Sequence, residues 1–257
     1  MTAEVRALWI TWRAAWRHAL ADRRALWSQL VMMTTNDLVW IAFWLLVFSR
    51  VDEIRGWKTA DVLILLAIAI TSSGFVLGAL HNVRRLGDMA ADGELDEALT
   101  VPVRTLPYLL VRRVEVLHIG EPLFGLVMLI VFADLTPARL AVFAYGVAMA
   151  IVIQVGFFVL VGSLSFFVGR NEGGNLGLQA MLLFSSYPVD AFGGVAKILL
   201  YVVVPSAFVT SVPARLVGSF ELGPALALAA VAAVFAGLGV LTFDRGLRRY
   251  TSGSTWT

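Results

Sequence analysis

The chain has 257 residues, 59% of them hydrophobic and only 15% charged, with a formal net charge of +2. A soluble domain carries roughly 45–50% apolar and about 25% charged residues, so this composition excludes an ordinary soluble protein and implies an integral membrane protein. With Cys 0 the chain also excludes disulfides, iron–sulfur clusters and thiolate chemistry, while the small net charge matters only through its distribution.

Several apolar stretches approach or exceed the ~18 residues that cross a hydrocarbon core, and the alternating pattern of a membrane β-barrel is absent. The expected fold is therefore an all-α polytopic bundle. Residues 4–26 place Val5, Leu8, Trp9, Trp12, Trp16, Ala19 and Leu20 on one arc, with Arg6, Arg13, Arg17 and Arg24 beside it. Trp settles at headgroup depth and Arg reaches lipid phosphates, which predicts an interfacial amphipathic helix within 1–29. No small-residue cleavage site follows an early apolar run, so the first span is expected to act as the insertion signal and to stay.

That first span is expected over 30–48. It carries Thr34, Thr35, Asn36 and Asp37. A carboxylate in a span is costly unless it faces protein or water, so Asn36 and Asp37 are candidates for a pathway wall or a subunit contact; a shallow hydrated site is the alternative. A charged loop then leads to the second span, 62–80, in which Gly74 and Gly78 have the spacing that lets helices approach closely.

A polar island follows at 84–113. Between Gly87 and Pro102 it carries Asp88, Asp92, Glu94, Asp96 and Glu97, with Leu95, Ala98 and Leu99 among them, and Pro102 ends the run. The pattern predicts a short acidic surface helix with a small apolar ridge; an ordinary loop is the alternative. The third span, 114–132, opens with Glu115, His118 and Glu121. A carboxylate-bridged metal site would need a second Glu-x-x-His motif and more carboxylates, so these side chains are expected to line the mouth of the bundle or to pair with Arg112 and Arg113.

The fourth span, 140–168, is long enough that it must tilt, kink or protrude. The glycine-containing loop over 169–179 lacks the lysine and hydroxyl residue of a phosphate loop. The fifth span, 178–195, is interrupted by Tyr187, Pro188, Asp190, Gly193 and Gly194. Breaks at membrane depth are tolerated only inside protein or beside water, which makes Tyr187 and Asp190 further pathway or interface candidates and 196–215 an extracellular re-entrant segment; two separate crossings are the alternative. The sixth span, 222–242, ends in a basic amphipathic tail.

Under this six-span reading, Arg50, Arg55, Lys58, Arg139, Lys197 and Arg215 lie on one side, and the remaining Lys and Arg of the 20 lie with the termini and the polar island. The positive-inside rule then puts both termini and 84–113 in the cytosol.

Several stretches together resemble type 2 ABC exporter permeases: Gly93-Glu94-Leu95-Asp96 with Leu99 and Pro102, Tyr187-Pro188, Pro205 to Val209, Val212-Pro213-Ala214, and the ending Arg245 to Tyr250. The nearest branch is that of ABC-2-like membrane proteins of this length, and the resemblance covers nearly the whole chain. It implies an N-terminal interface helix, a coupling helix between spans two and three, and re-entrant helices before span six. It also implies a bacterial cytoplasmic membrane location and a dimer with an identical or related permease, bound to two cytosolic ABC ATPase subunits. By that resemblance Gly87, Asp88, Gly93, Glu94, Leu95, Asp96, Leu99 and Pro102 form the ATPase-coupling site, and the transport cycle exports a hydrophobic or amphipathic substrate. The chain has no G-x-x-x-x-G-K-[ST] loop, so ATP and Mg are expected in the partner ATPase and no cofactor in this chain. Lipids are the other expected partner and nucleic acid is not one. A secondary transporter is the competing reading, with Asp37 and Asp190 as its ionisable candidates. An intramembrane enzyme would need a nucleophile and base within the spans, and neither the serines nor the histidines supply that arrangement.

Overall fold

The computed structural model describes residues 3–169 and 172–250; Arg170, counted above with the termini, and the chain beyond Tyr250 lie outside it. Among the described residues the chain is helical, with a single isolated bridge, Ile54 to Trp57, and no strand. In order the helices are α1 (Ala3–Ala19), α2 (Arg23–Phe48), α3 (Thr59–Ala79), α4 (Leu86–Ala91), α5 (Asp96–Leu99), α6 (Thr105–Val111) and α7 (Glu121–Phe132). Then follow α8 (Pro137–Ser163), α9 (Ser165–Val168), α10 (Glu172–Phe184), α11 (Gly194–Val202), α12 (Val212–Gly218) and α13 (Leu222–Leu247).

The boundary between interface helix and first span falls earlier than the periodicity suggests. Asp22 caps α2, its Oδ1 accepting from the backbone of Arg24 and Ala25 at 3.0 Å each. An N-cap carboxylate satisfies donors that a new helix leaves unpaired, so the chain turns there and α1 ends at Ala19. The helix α1 lies back on the bundle, with the Trp12 indole donating to Ala79 O at 3.2 Å.

The centre of the molecule is α3, buried along most of its length. Around it pack α7, α8, α12 and, through α8, α13. In lipid there is no hydrophobic drive between helices, so close approach at small residues and interhelical hydrogen bonds carry the association. Both devices are present. A Cβ at Gly74 would sit 2.4 Å from Glu121 Cβ, one at Gly125 2.6 Å from Ala67 O, and one at Gly156 2.5 Å from the backbone of Phe235. Gln154 of α8, fully buried, donates to Ser72 Oγ at 2.9 Å and accepts from Ser73 Oγ at 3.0 Å, both on α3.

Four helical stretches are long and apolar enough to cross a membrane: α2, α3, the α8–α9 stretch and α13. Two bent pairs would bring the total to six. In the first, α6 and the 116–132 stretch meet at 70°. The straight span expected over 114–132 is thus a 12-residue helix, α7, which starts only at Glu121 with proline in its first turn. Proline there is pre-organised for a helix start, and the chain just before is held instead by Glu115 N donating to Gly78 O at 2.8 Å. In the second pair α11 meets 207–218 at 73° across a break at 203–206, and the second leg opens with a π-helical turn, Ala207–Ser211. The fifth stretch is likewise shorter than the 178–195 expectation. Its helix, α10, stops at Phe184 after 13 residues, where Ser185–Pro188 turns the chain.

Candidate functional site

The 84–113 segment does not form one acidic helix. Its acidic part is two short helices, α4 and α5, folded over a turn at Gly93, whose φ of +79° is the left-handed conformation that glycine adopts without strain, and α6 follows. The apolar ridge expected to face outward is divided. Leu95 and Ala98 are fully buried with Leu86, Met89 and Leu109 in the main core, whereas Leu99 is 46% exposed. Gly87 is packed, not presented: a Cβ there would lie 2.9 Å from Ser165 Oγ and 3.5 Å from Gly162 O. Asp88 is half-buried beside a cavity of about 440 Å³ that His81, Arg84, Phe158 and Gln179 also line.

The acidic side chains are tied inward. Glu94 accepts from Arg85 at 3.2 Å, Glu97 from Arg112 at 3.4 Å, and Asp96 from the Tyr250 hydroxyl at 2.9 Å. Burial and the bond to Asp96 push the Tyr250 phenol up to about 12. Arg104 N donates to Glu4 Oε1 of α1 at 3.1 Å, and Asn82 Nδ2 to Leu109 O at 2.9 Å. Arg85 and Arg112 therefore staple the segment, and α1, α8, α9 and Tyr250 all meet it. Between Gly87 and Pro102 the exposed residues are Ala91, Asp92, Glu94, Glu97, Leu99, Thr100 and Pro102. Glu115 and His118 do not pair with Arg112 or Arg113. Glu115 lies 3.9 Å from His81, whose imidazole burial holds below its usual range against that carboxylate's pull, and His118 meets Glu121 at 2.9 Å.

The four pathway candidates separate into two places. Asn36 is exposed on the outward face of α2. Asp37, only 4% exposed, faces Glu121 and His118, and its Oδ2 has no hydrogen-bond partner among the described residues. Two carboxylates and one imidazole are thus buried together where α2 meets the start of α7 and the turn before it, and Gly74 leaves room for the Glu121 side chain.

Tyr187 and Asp190 lie at the other end of α3. The Tyr187 ring stands edge-on to Trp40, 5.6 Å between centroids, and to Trp44 at 5.8 Å. Asp190, in the connection beyond α10 and outside the spans, is the common acceptor of three side chains. Trp57 Nε1 donates to Oδ2 at 2.9 Å, Arg215 to Oδ2 at 2.7 Å and Lys197 to Oδ1 at 2.6 Å. Burial pushes this carboxyl up, but the three donors outweigh it and hold it down at about 2. Arg215 also lies over the Trp57 ring, 4.5 Å from its centroid. Lys197, Arg215 and Trp57 carry no short-range signal that would join them to Asp190; only their assignment to one side of the membrane hinted at it.

A family model described as ABC-2 family transporter protein matches residues 31–254 of the chain. Neither a curated protein nor a solved structure matches it.

Proposed function

Because the chain belongs to the ABC-2 family of transporter proteins, a family of multi-pass membrane subunits, we propose that it is the permease subunit of an ATP-binding cassette exporter. It sits in a bacterial cytoplasmic membrane with both termini and 84–113 in the cytosol, as the basic residues' distribution favours. It pairs with a second permease and takes its energy from ATPase subunits bound in trans, where ATP and Mg reside. The cargo is hydrophobic or amphipathic.

The observation that carries the reading is the construction of 84–113. Its inner face is locked to α8, α9 and α1, and its outer face is exposed on the surface of the chain. A partner that moves Leu99 and Glu97 would move the whole stapled unit, and with it α3 at the centre of the bundle. Solubilised, tagged protein should therefore bring down an ATPase subunit and a second permease. Recovery of the chain alone in every mild detergent would overturn the proposal.

One observation favours a second reading. The buried Asp37 with its unpartnered oxygen, beside Glu121 and His118, is the kind of intramembrane ionisable group that ion-driven transporters use. Transport abolished by collapse of the proton gradient but not by ATP depletion would select it.

A further inference from the structure

We infer that Asp190 is a positioning residue for transport: its carboxylate latches the bent α11–α12 pair onto the 54–57 hairpin, at the end of the bundle away from 84–113, and this latch opens when that end opens. The inference rests on the permease reading above.

The donors come from three separate segments. Trp57, fully buried, belongs to the hairpin, Lys197 to α11 and Arg215 to α12, and all three converge on one carboxylate. Arg55 adds bonds to the carbonyls of Asp190 at 3.1 Å and Phe192 at 3.4 Å. Charge-assisted bonds of this kind are the stronger class of hydrogen bond. The carboxylate also separates cations. Without it Lys197 and Arg215 would lose the one acceptor they share, so its neutralisation releases both segments from the hairpin.

Little else holds α11. Val195, Ile198, Leu199 and Val202 are exposed, and its one buried side chain, Leu200, belongs to a small satellite cluster with Val189 and Ala207, separate from the main core. The pieces around the latch can move. Gly194 has φ +56° and open space around it, and the leg that follows the bend opens with a π-helical turn, a feature concentrated at functional sites. The hairpin itself is built under tension. Arg55 and Gly56 both have positive φ, +49° and +82°, as a two-residue primed turn demands, and Arg55 adopts that conformation without being glycine. Beside the latch lies a cavity of about 470 Å³ bordered by Trp57, Arg215, Asp61 and Glu221, space into which the segment can shift.

The chain has no cysteine, which makes the test direct. Spin labels on Asp52→Cys and Val195→Cys, both exposed, report the distance between hairpin and α11 in phospholipid nanodiscs. Asp190→Asn is expected to lose the resting distance population in favour of a longer one, and Asp190→Glu to retain it. Should Asp190→Asn fail to assemble, Lys197→Met, which removes one donor, is expected to give part of the same shift. In the complex with its ATPase, turnover should populate the same longer distance. An Asp190→Asn distribution identical to that of the parent overturns the latch. A shift in that variant with none during turnover overturns its part in transport. Failure of any ATPase to associate tells against the permease reading, on which the Asp190→Asn measurement does not depend.

Discussion

Tyr250 makes the longest-range side-chain bond at the 84–113 end, joining the end of the last span to Asp96 in α5. A net hydrogen bond is worth roughly 0.5–1.5 kcal/mol, and this one is only partly buried, so Tyr250→Phe should cost about 1 kcal/mol or less of thermal stability. The sign of its pH dependence is fixed by the raised phenol. The folded value of about 12 lies above the ordinary tyrosine value of 10.0, so the stabilisation is complete below pH 10 and is lost as pH rises from there through about 12. An absorbance titration of phenolate should therefore lose one tyrosine's worth of its late-ionising component in Tyr250→Phe. Gln154 shows a different use of polarity. Its amide is fully buried and bridges α3 to α8 through Ser72 and Ser73. Interhelical bonds in membranes average only about 0.6 kcal/mol, so it serves register more than stability.

At the scale of elements, the contact between α8 and α13 is set by glycine. Gly156 meets the backbone of Phe235 and Ala236, and a Cβ on Gly239 would lie 2.7 Å from Gly156 O. Backbone cannot move aside as a side-chain tip can, so Gly156→Ala should prise the helices apart and destabilise the bundle by about 1–3 kcal/mol. Gly237, on the same helix α13, has nothing within 4 Å of a Cβ. Gly237→Ala should be neutral or slightly stabilising, because alanine is favoured over glycine in a helix by up to ~1 kcal/mol. Comparing the two variants in the same detergent melt separates helix packing from helix propensity. The Gly74 and Gly78 spacing could be read from the sequence as a packing motif. Its partner could not, because the facing stretch, Glu121 and His118, is identified only by the fold.

Over the whole molecule, 84–113 ties α1 and the chain just after α13 to α8, through Glu4, Tyr250 and the packing of Gly87 on Gly162. Replacing Glu94 or Asp96 would break internal bonds to Arg85 and Tyr250 before it touched any partner. Leu99 is the cleaner probe, being exposed and on the outer face. Leu99→Arg should leave membrane insertion and thermal stability within about 0.5 kcal/mol, as for surface substitutions, while transport and transport-coupled ATP hydrolysis fall sharply. Full transport by this variant would show that the coupling surface lies elsewhere. The exposed length of α2 and the charge latch at the opposite end complete the arrangement, with the buried core of α3 between them.

Composition alone determined that this is a polytopic helical membrane protein, because an apolar excess of this size can be satisfied only in lipid. Motif pattern over most of the chain indicated the family. The polar island was legible as an interruption between apolar runs, and the breaks near Tyr187 and Pro188 as a place where no straight helix could continue. Periodicity misjudged the ends of α1, α2 and α7, where a single capping carboxylate or a proline outweighs an apolar run. What only the tertiary structure decided is which polar groups meet. Asp37 turns to Glu121 and His118, Asp190 to Trp57, Lys197 and Arg215, and the acids of α5 to an arginine and a tyrosine of their own chain. Spacing along one helix reports which residues share a face, whereas a buried charge is stabilised by groups that other segments bring to it, and those are chosen by packing at small residues far along the chain.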